Sequence, residues 1–193
     1  FTALPEQKDD FTYRWINKED WQNAYKDFIK KWHYKSLHWI PLWEKPIREI
    51  ENNKAFHVYI DAGMAFGTGA HETTQLCAQR LVDFFKFPPK HIQNIKTCQI
   101  VDAGCGSGIL ALSASCLGFE KIYAFDNDPD AIDVCKENAC NNPGLNPIVF
   151  SVNDLDEGLL EINADFLMAN IQTNILIPNA VKIIKSLKQS STL

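Results

Sequence analysis

Ile100-Val101-Asp102-Ala103-Gly104-Cys105-Gly106-Ser107-Gly108-Ile109 sets three glycines at alternate positions between a short apolar run and Leu110-Ala111-Leu112, which reads as a helix. Glycine is needed where a backbone turns sharply and lets a ligand approach without a Cβ in the way. Twenty-two residues beyond Gly104, a second apolar run, Lys121-Ile122-Tyr123-Ala124-Phe125, ends at Asp126. In a nucleotide-binding βαβ unit an acid at that point accepts hydrogen bonds from both ribose hydroxyls. Strand, glycine turn, helix and acid-ended strand together specify a nucleoside-containing cofactor.

Spacing narrows the class. A dinucleotide fold uses G-x-G-x-x-G, with the helix N-terminus facing a pyrophosphate. Here the third glycine comes one residue early and Asp102 stands two residues before the first, giving D-x-G-x-G-x-G. That pattern resembles the first motif of class I S-adenosylmethionine-dependent methyltransferases, and it marks Asp102, Gly104, Gly106 and Asp126 as cofactor-binding candidates. A nicotinamide dehydrogenase is disfavoured by the same spacing.

Outward from this motif the pattern is regular. It predicts a strand at 99–103, a helix at 108–117 closed by Gly118, a strand at 121–126 and a helix from Asp128-Pro129 to about Asn141. Asp before Pro is a strong helix start, one capping the first turn and the other supplying its fixed φ. Strands at 147–152 and 164–170 and a helix at 175–188 follow, with Ser191-Thr192-Leu193 reading as the opening of a further strand. Alternating strands and helices imply an α/β fold with a parallel sheet and a ligand at the carboxyl ends of its strands. Asp102, Asp126, Asp154 and Asn170 would gather on that rim. Asp154 has two roles open to it, as an acceptor for an adenine amine or as a simple turn residue.

Residues 1–60 differ in character. All five tryptophans lie there and no glycine does. Asn17 would cap a helix with apolar positions Trp21, Ala24, Tyr25, Phe28, Ile29 and Trp32. Leu37 to Trp43 and Ala55 to Ile60 read as strands, the first assigned to a sheet edge because Pro41 cannot donate to a ladder. This region is taken as a small α+β linker subdomain, 1–60, ahead of a methyltransferase domain, 61–193. The chain starts at Phe1 rather than Met, and a seven-stranded sheet would need more strands than four and a stub, so a C-terminally incomplete domain is expected.

The net charge of −5 argues against direct nucleic-acid binding, since phosphate contacts supply most non-specific affinity. The stretch from Lys26 to Lys54 is locally basic, with seven Lys/Arg against four Asp/Glu; a solvated face and a docking surface both suit it. Six cysteines form no C-x-x-C pair, and no histidine sits at zinc-ligand spacing, so no metal is expected. His33, His38, His57 and His91 show no constellation around them. Unpaired cysteines at apolar positions suit a reducing cytoplasm, and no apolar run is long enough to insert in a membrane.

Upstream of the first motif, Ala65-Phe66-Gly67-Thr68-Gly69-Ala70-His71-Glu72-Thr73-Thr74 reads as a glycine loop opening a helix over Glu72 to Phe85. With VDAGCGSGILA, FDNDPDAIDVCKENACNN and MANI, this string resembles the ribosomal protein L-eleven (L11) methyltransferase family of PrmA type, across roughly Trp15 to Ile177. Ala62 stands where that family carries proline. The resemblance implies S-adenosyl-L-methionine as cofactor, ribosomal protein L11 as protein substrate and methyl transfer to lysine or α-amino groups. It also implies cofactor contacts at Thr74, Gly104, Asp126 and Asn170, with Phe66 as an aromatic cover.

Such a reaction asks the protein to align an amine with the methyl and exclude water. A lysine is mostly protonated at neutral pH, its pKa being about 10.4, and burial beside a cation lowers that value. Asn170 can then orient the amine by accepting its N–H. His71 is the one histidine with a catalytic case, as acceptor of the released proton, and a helix-capping role suits it equally. Rival readings are a class I methyltransferase acting on RNA or a small molecule, and an inactive cofactor-binding scaffold.

Overall fold

The computed structural model describes Lys26 and residues 29–46, 55–61 and 69–192. Its centre is a five-stranded, wholly parallel sheet in the order β6-β5-β4-β7-β8. The strands are β4 (Gln99–Ala103), β5 (Lys121–Asp126), β6 (Ile148–Val152), β7 (Ala164–Met168) and β8 (Leu187–Thr192). Ile100 to Ala103 are all buried, as the middle strand of a sheet covered on both faces requires. The helices are α1 (Glu72–Lys86), α2 (Ile109–Leu117), α3 (Pro129–Cys140), the single turn α4 (Leu155–Gly158) and α5 (Thr173–Lys185). Among the described residues no helix is long and apolar enough to cross a membrane.

A second, three-stranded sheet is built from β1 (Trp32–Tyr34), β2 (Leu37–Pro41) and β3 (Phe56–Ile60). It explains why α2 is apolar all round, with eight of its nine residues buried. Leu37, Trp39, Val58 and Ile60 share one core with Leu81, Leu112, Leu117 and Ile122, so this helix is enclosed between two sheets. A polar contact between the small sheet and this helix runs as a chain. Trp39 Nε1 donates to Ser113 Oγ at 2.7 Å, and that hydroxyl donates to the Ile109 carbonyl at 2.6 Å.

The free edge of β3 is closed by side chains. Asn142 accepts from Tyr59 N at 2.8 Å and donates to Tyr59 O at 2.7 Å. One turn earlier on the same chain segment, Asn138 accepts from Asp61 N and donates to Asp61 O, both at 2.9 Å. Its amide nitrogen also donates to Ser107 O at 3.0 Å, within the glycine turn. Both asparagines are buried and act as a strand would, satisfying groups that an open edge leaves unpaired.

Several expectations need correction. Trp32 belongs to β1, not to a helix, because its ring stacks on Trp39 across the strand pair with centroids 3.8 Å apart. The helix expected from Asn17 otherwise lies largely outside the described residues. The strand holding Pro41 is central, not an edge: it pairs with β1 on one side and β3 on the other. Proline is tolerated because β1 pairs only as far as Trp39, so Pro41 lies past its end. Beyond Pro41 the expected strand gives way to a short 3-10 segment, Leu42–Glu44. The last helix stops at Lys185, and Leu187 onward is already β8, paired with β7.

Candidate functional site

The carboxyl ends of β4 and β5 and the segments that follow β6 and β7 surround a cleft of about 220 Å³, with Gly104, Asp126, Asn153, Asp154 and Ile171 among its walls. A second, much smaller hollow lies between Thr74, Asp102, Gly106 and Asn170. Gly104 lines both. Its φ of +71° suits glycine, and a Cβ there would lie 2.3 Å from Ile171 Cγ2, because the Ile171 side chain packs directly on the bare Cα. Its backbone N–H donates to the Phe125 carbonyl at 2.8 Å, which fixes the turn against β5.

Asp126 is locked by that turn. Its Oδ2 accepts from Gly106 N at 2.9 Å and its Oδ1 from Asp128 N at 3.1 Å. A carboxylate offers about four acceptor sites, so lone pairs remain on both oxygens toward the cleft. Asp128 in turn caps α3 by accepting from Asp130 N at 3.0 Å, with Pro129 in the first turn, as expected from the sequence.

Asp102 lies deeper, 1% exposed, with Oδ2 accepting from Ala111 N at 3.0 Å. Burial pushes its carboxyl up to about 7; the Ala111 N–H opposes that shift and the charge of Asp126 adds to it. Behind the turn, Cys135 Sγ donates to Gly106 O at 3.1 Å and lies 3.6 Å from Cys105 Sγ. The contact with Cys135 and burial hold the Cys105 thiol far above its ordinary range, so it serves as packing.

Thr74 and Asn170, ninety-six residues apart, meet directly. Asn170 Nδ2 donates to Thr74 Oγ1 at 2.9 Å. Thr74 is buried in the first turn of α1, and with the Asn170 amide nitrogen committed to it, Oδ1 remains as an acceptor on the hollow's wall. His71 is the N-cap of the same helix: Nδ1 accepts from Thr73 N at 3.2 Å and stands 2.7 Å from Thr73 Oγ1. An Nδ1 that accepts carries no proton, so the neutral ring is protonated at Nε2. His71→Ala should therefore lower stability by about 1 kcal/mol, and His71→Asn, itself a good cap, should restore it. Chemical denaturation alongside turnover checks this; activity lost in the Asn variant at full stability would indicate a proton relay instead.

Asp154 accepts through Oδ1 from Asp156 N at 2.8 Å and Glu157 N at 2.9 Å, capping α4, a turn of helix that the sequence pattern does not predict. It stands exposed at the cleft, so capping and ligand contact are compatible. Phe66 lies outside the described residues. The sequence reading also missed the α5 side of the cleft, Ile175 and Asn179, because nothing in their spacing marks them apart from an ordinary helix face.

Comparison with known proteins agrees with this geometry. The family described as ribosomal protein L11 methyltransferase (PrmA) matches residues 2–193. The ribosomal protein L11 methyltransferase of Nitrosococcus oceani is 36% identical over 179 residues, 88% of this chain and 56% of that protein. That of Carboxydothermus hydrogenoformans is 39% identical over 156 residues, covering 81% and 47% respectively. The chain thus spans about half the length of the curated relatives it matches. The crystal structure of ribosomal protein L11 methylase from Lactobacillus delbrueckii subsp. bulgaricus superposes with a TM-score of 0.64 at 24% identity, over 82% of this chain and 74% of that one, and so shares the fold. With a family match along all but one residue and a parallel sheet of the same architecture, the chain belongs to the ribosomal protein L11 methyltransferase (PrmA) family.

Proposed function

We propose that this chain forms the S-adenosyl-L-methionine-binding part of an enzyme that methylates amino groups, lysine side chains or an α-amine, of ribosomal protein L11. The observation that carries the reading is Asp126, held by two backbone N–H groups of the glycine turn and the α3 start, on the wall of the cleft at the carboxyl ends of the strands. That cradle fits a ribose diol in the wide cleft, with Gly104 on the same wall. When bound, the cofactor supplies a methyl group on a good sulfur leaving group.

The chain's own residues then divide the work. Asp126 accepts the two ribose hydroxyls, and Asp154 offers an acceptor for the adenine amine. Asp102 lies beside the hollow as an acidic partner for the cofactor's ammonium. Asn170, its amide nitrogen held by Thr74, presents Oδ1 to one N–H of the acceptor amine and so aims the lone pair. Burial beside a positive charge favours the neutral amine, and the proton released on transfer passes to solvent. His71 braces the loop-to-helix entry. Six free cysteines suit the reducing cytoplasm, where a ribosomal substrate is met.

Calorimetry tests the cofactor half. S-adenosylmethionine should bind and NAD should not, and Asp126→Ala should weaken binding by about 2 kcal/mol, as expected on losing hydrogen bonds to a charged acceptor. Unchanged affinity in a folded variant would remove the ribose assignment. Transfer of labelled methyl from S-adenosylmethionine to purified ribosomal protein L11, against ribosomal RNA as alternative acceptor, tests the substrate half.

A further inference from the structure

Three of the four histidines without an evident partner in the sequence meet in the fold. Strand register sets His33 of β1 opposite His38 of β2, and His38 opposite His57 of β3. Leu37, Trp39 and Val58 point into the core, so the alternating His38 and His57 point the other way, onto the outer face of the small sheet. The imidazoles form a ladder. His33 and His38 have ring centroids 5.1 Å apart at 18°, and His38 and His57 are 5.3 Å apart at 67°.

Those separations match a chelate. A histidine nitrogen sits roughly 2.0–2.1 Å from Zn²⁺, which puts its ring centroid about 3.2 Å from the ion; two rings at a tetrahedral angle are then about 5.2 Å apart. Binding would require the rings, one pair of which is stacked near parallel, to turn about their side-chain torsions and bring two nitrogens to a shared point. No group of three or more His, Cys, Asp or Glu side chains among the described residues is arranged to hold one ion, so the coordination is two imidazoles completed by water. We propose that the outer face of the small sheet binds one borderline divalent transition-metal ion, of the Zn²⁺ or Cu²⁺ class, through His38 together with His57 or His33.

One further feature suits this site. The scaffold beneath is stiff: Trp32 and Trp39 stack on the opposite face of the same strand pair, and His57 O accepts from Cys116 Sγ at 3.4 Å. The ladder also makes the three histidines unequal. His38 belongs to both pairs, whereas His33 and His57 can each substitute for the other.

The test is calorimetric titration of the tag-free chain with zinc chloride, with electron paramagnetic resonance of the Cu²⁺ form to count nitrogen ligands. One ion per chain and two nitrogens are expected. His38→Ala should weaken binding at least about tenfold, whereas His33→Ala and His57→Ala singly should each retain a chelate. The His33→Ala/His57→Ala double variant, which leaves the central strand intact, should match His38→Ala. Zinc should raise the melting temperature of the wild type and not of either of these two variants, because an ion bound only by the folded chain stabilises it. His38→Ala binding zinc as tightly as wild type, or wild type binding no tighter than the double variant, would overturn the site.

Discussion

Asp102→Asn should make this protein more stable at pH 8 while weakening its hold on S-adenosylmethionine. The carboxyl of Asp102 titrates near 7 in the folded chain against 3.8 for an ordinary aspartate, burial being the main cause. The folded chain therefore keeps a proton that the unfolded chain gives up between those values. Stability linked to this group is fully present below pH 3.8 and is lost as pH rises through 7. At pH 8 the buried charge costs roughly 4 kcal/mol, at about 1.4 kcal/mol per pKa unit. Asparagine cannot ionise, and its Oδ1 can still accept the Ala111 N–H. The variant should gain about 2–4 kcal/mol at pH 8 and little at pH 4, because near pH 4 the wild-type carboxyl is already protonated. Urea denaturation of both proteins at the two pH values checks it; a gap that does not widen with pH would contradict the buried-charge account. Loss of cofactor affinity in the stabilised protein would be the familiar exchange of stability against function at a binding site.

Gly158→Ala should cost about 3 kcal/mol, the upper end for overpacking a core. An added Cβ would lie 2.4 Å from Phe125 Cε2 and 2.5 Å from Cδ2. The ring has nowhere to retreat, since Phe125 is 1% exposed and packed with Val101, Ala103 and Leu167. The same residue's carbonyl accepts from Gly104 N and Cys105 N at 2.8 and 3.0 Å, so displacement of Phe125 is transmitted to the glycine turn. Stability and cofactor affinity should fall together. Adding Phe125→Leu to Gly158→Ala should recover part of the stability, and its failure to do so would place the strain elsewhere.

What the sequence makes legible is local. Asp128-Pro129 starts α3, Gly118 closes α2, and the 22-residue interval from Gly104 to Asp126 spans one βαβ unit, because caps, periods and turns act over a few residues. What it hides depends on register between distant strands. Ile183-Ile184-Lys185-Ser186-Leu187 continues a helical rhythm, yet Leu187 pairs opposite Ala164 and is strand. Trp32 keeps a helical spacing and is claimed by Trp39. Asp126 and Gly106 follow from spacing alone, whereas the meeting of Thr74 with Asn170 follows only from tertiary structure. Nothing in the sequence pattern marks Asn138 and Asn142 as the buried residues they are.

Asn138 also bears on how this sequence can drift. A single amide serves backbone groups in two separate segments, the end of β3 at Asp61 and the glycine turn at Ser107, from a third, α3. Aspartate would lose both donated hydrogen bonds, and glutamine would reach too far for either. Changes that shift β3, the turn or α3 are therefore not independent of one another: each is tolerated only if the other two move with it. The small sheet and the glycine turn should accordingly vary in concert across descendants of this chain, although they lie far apart along it.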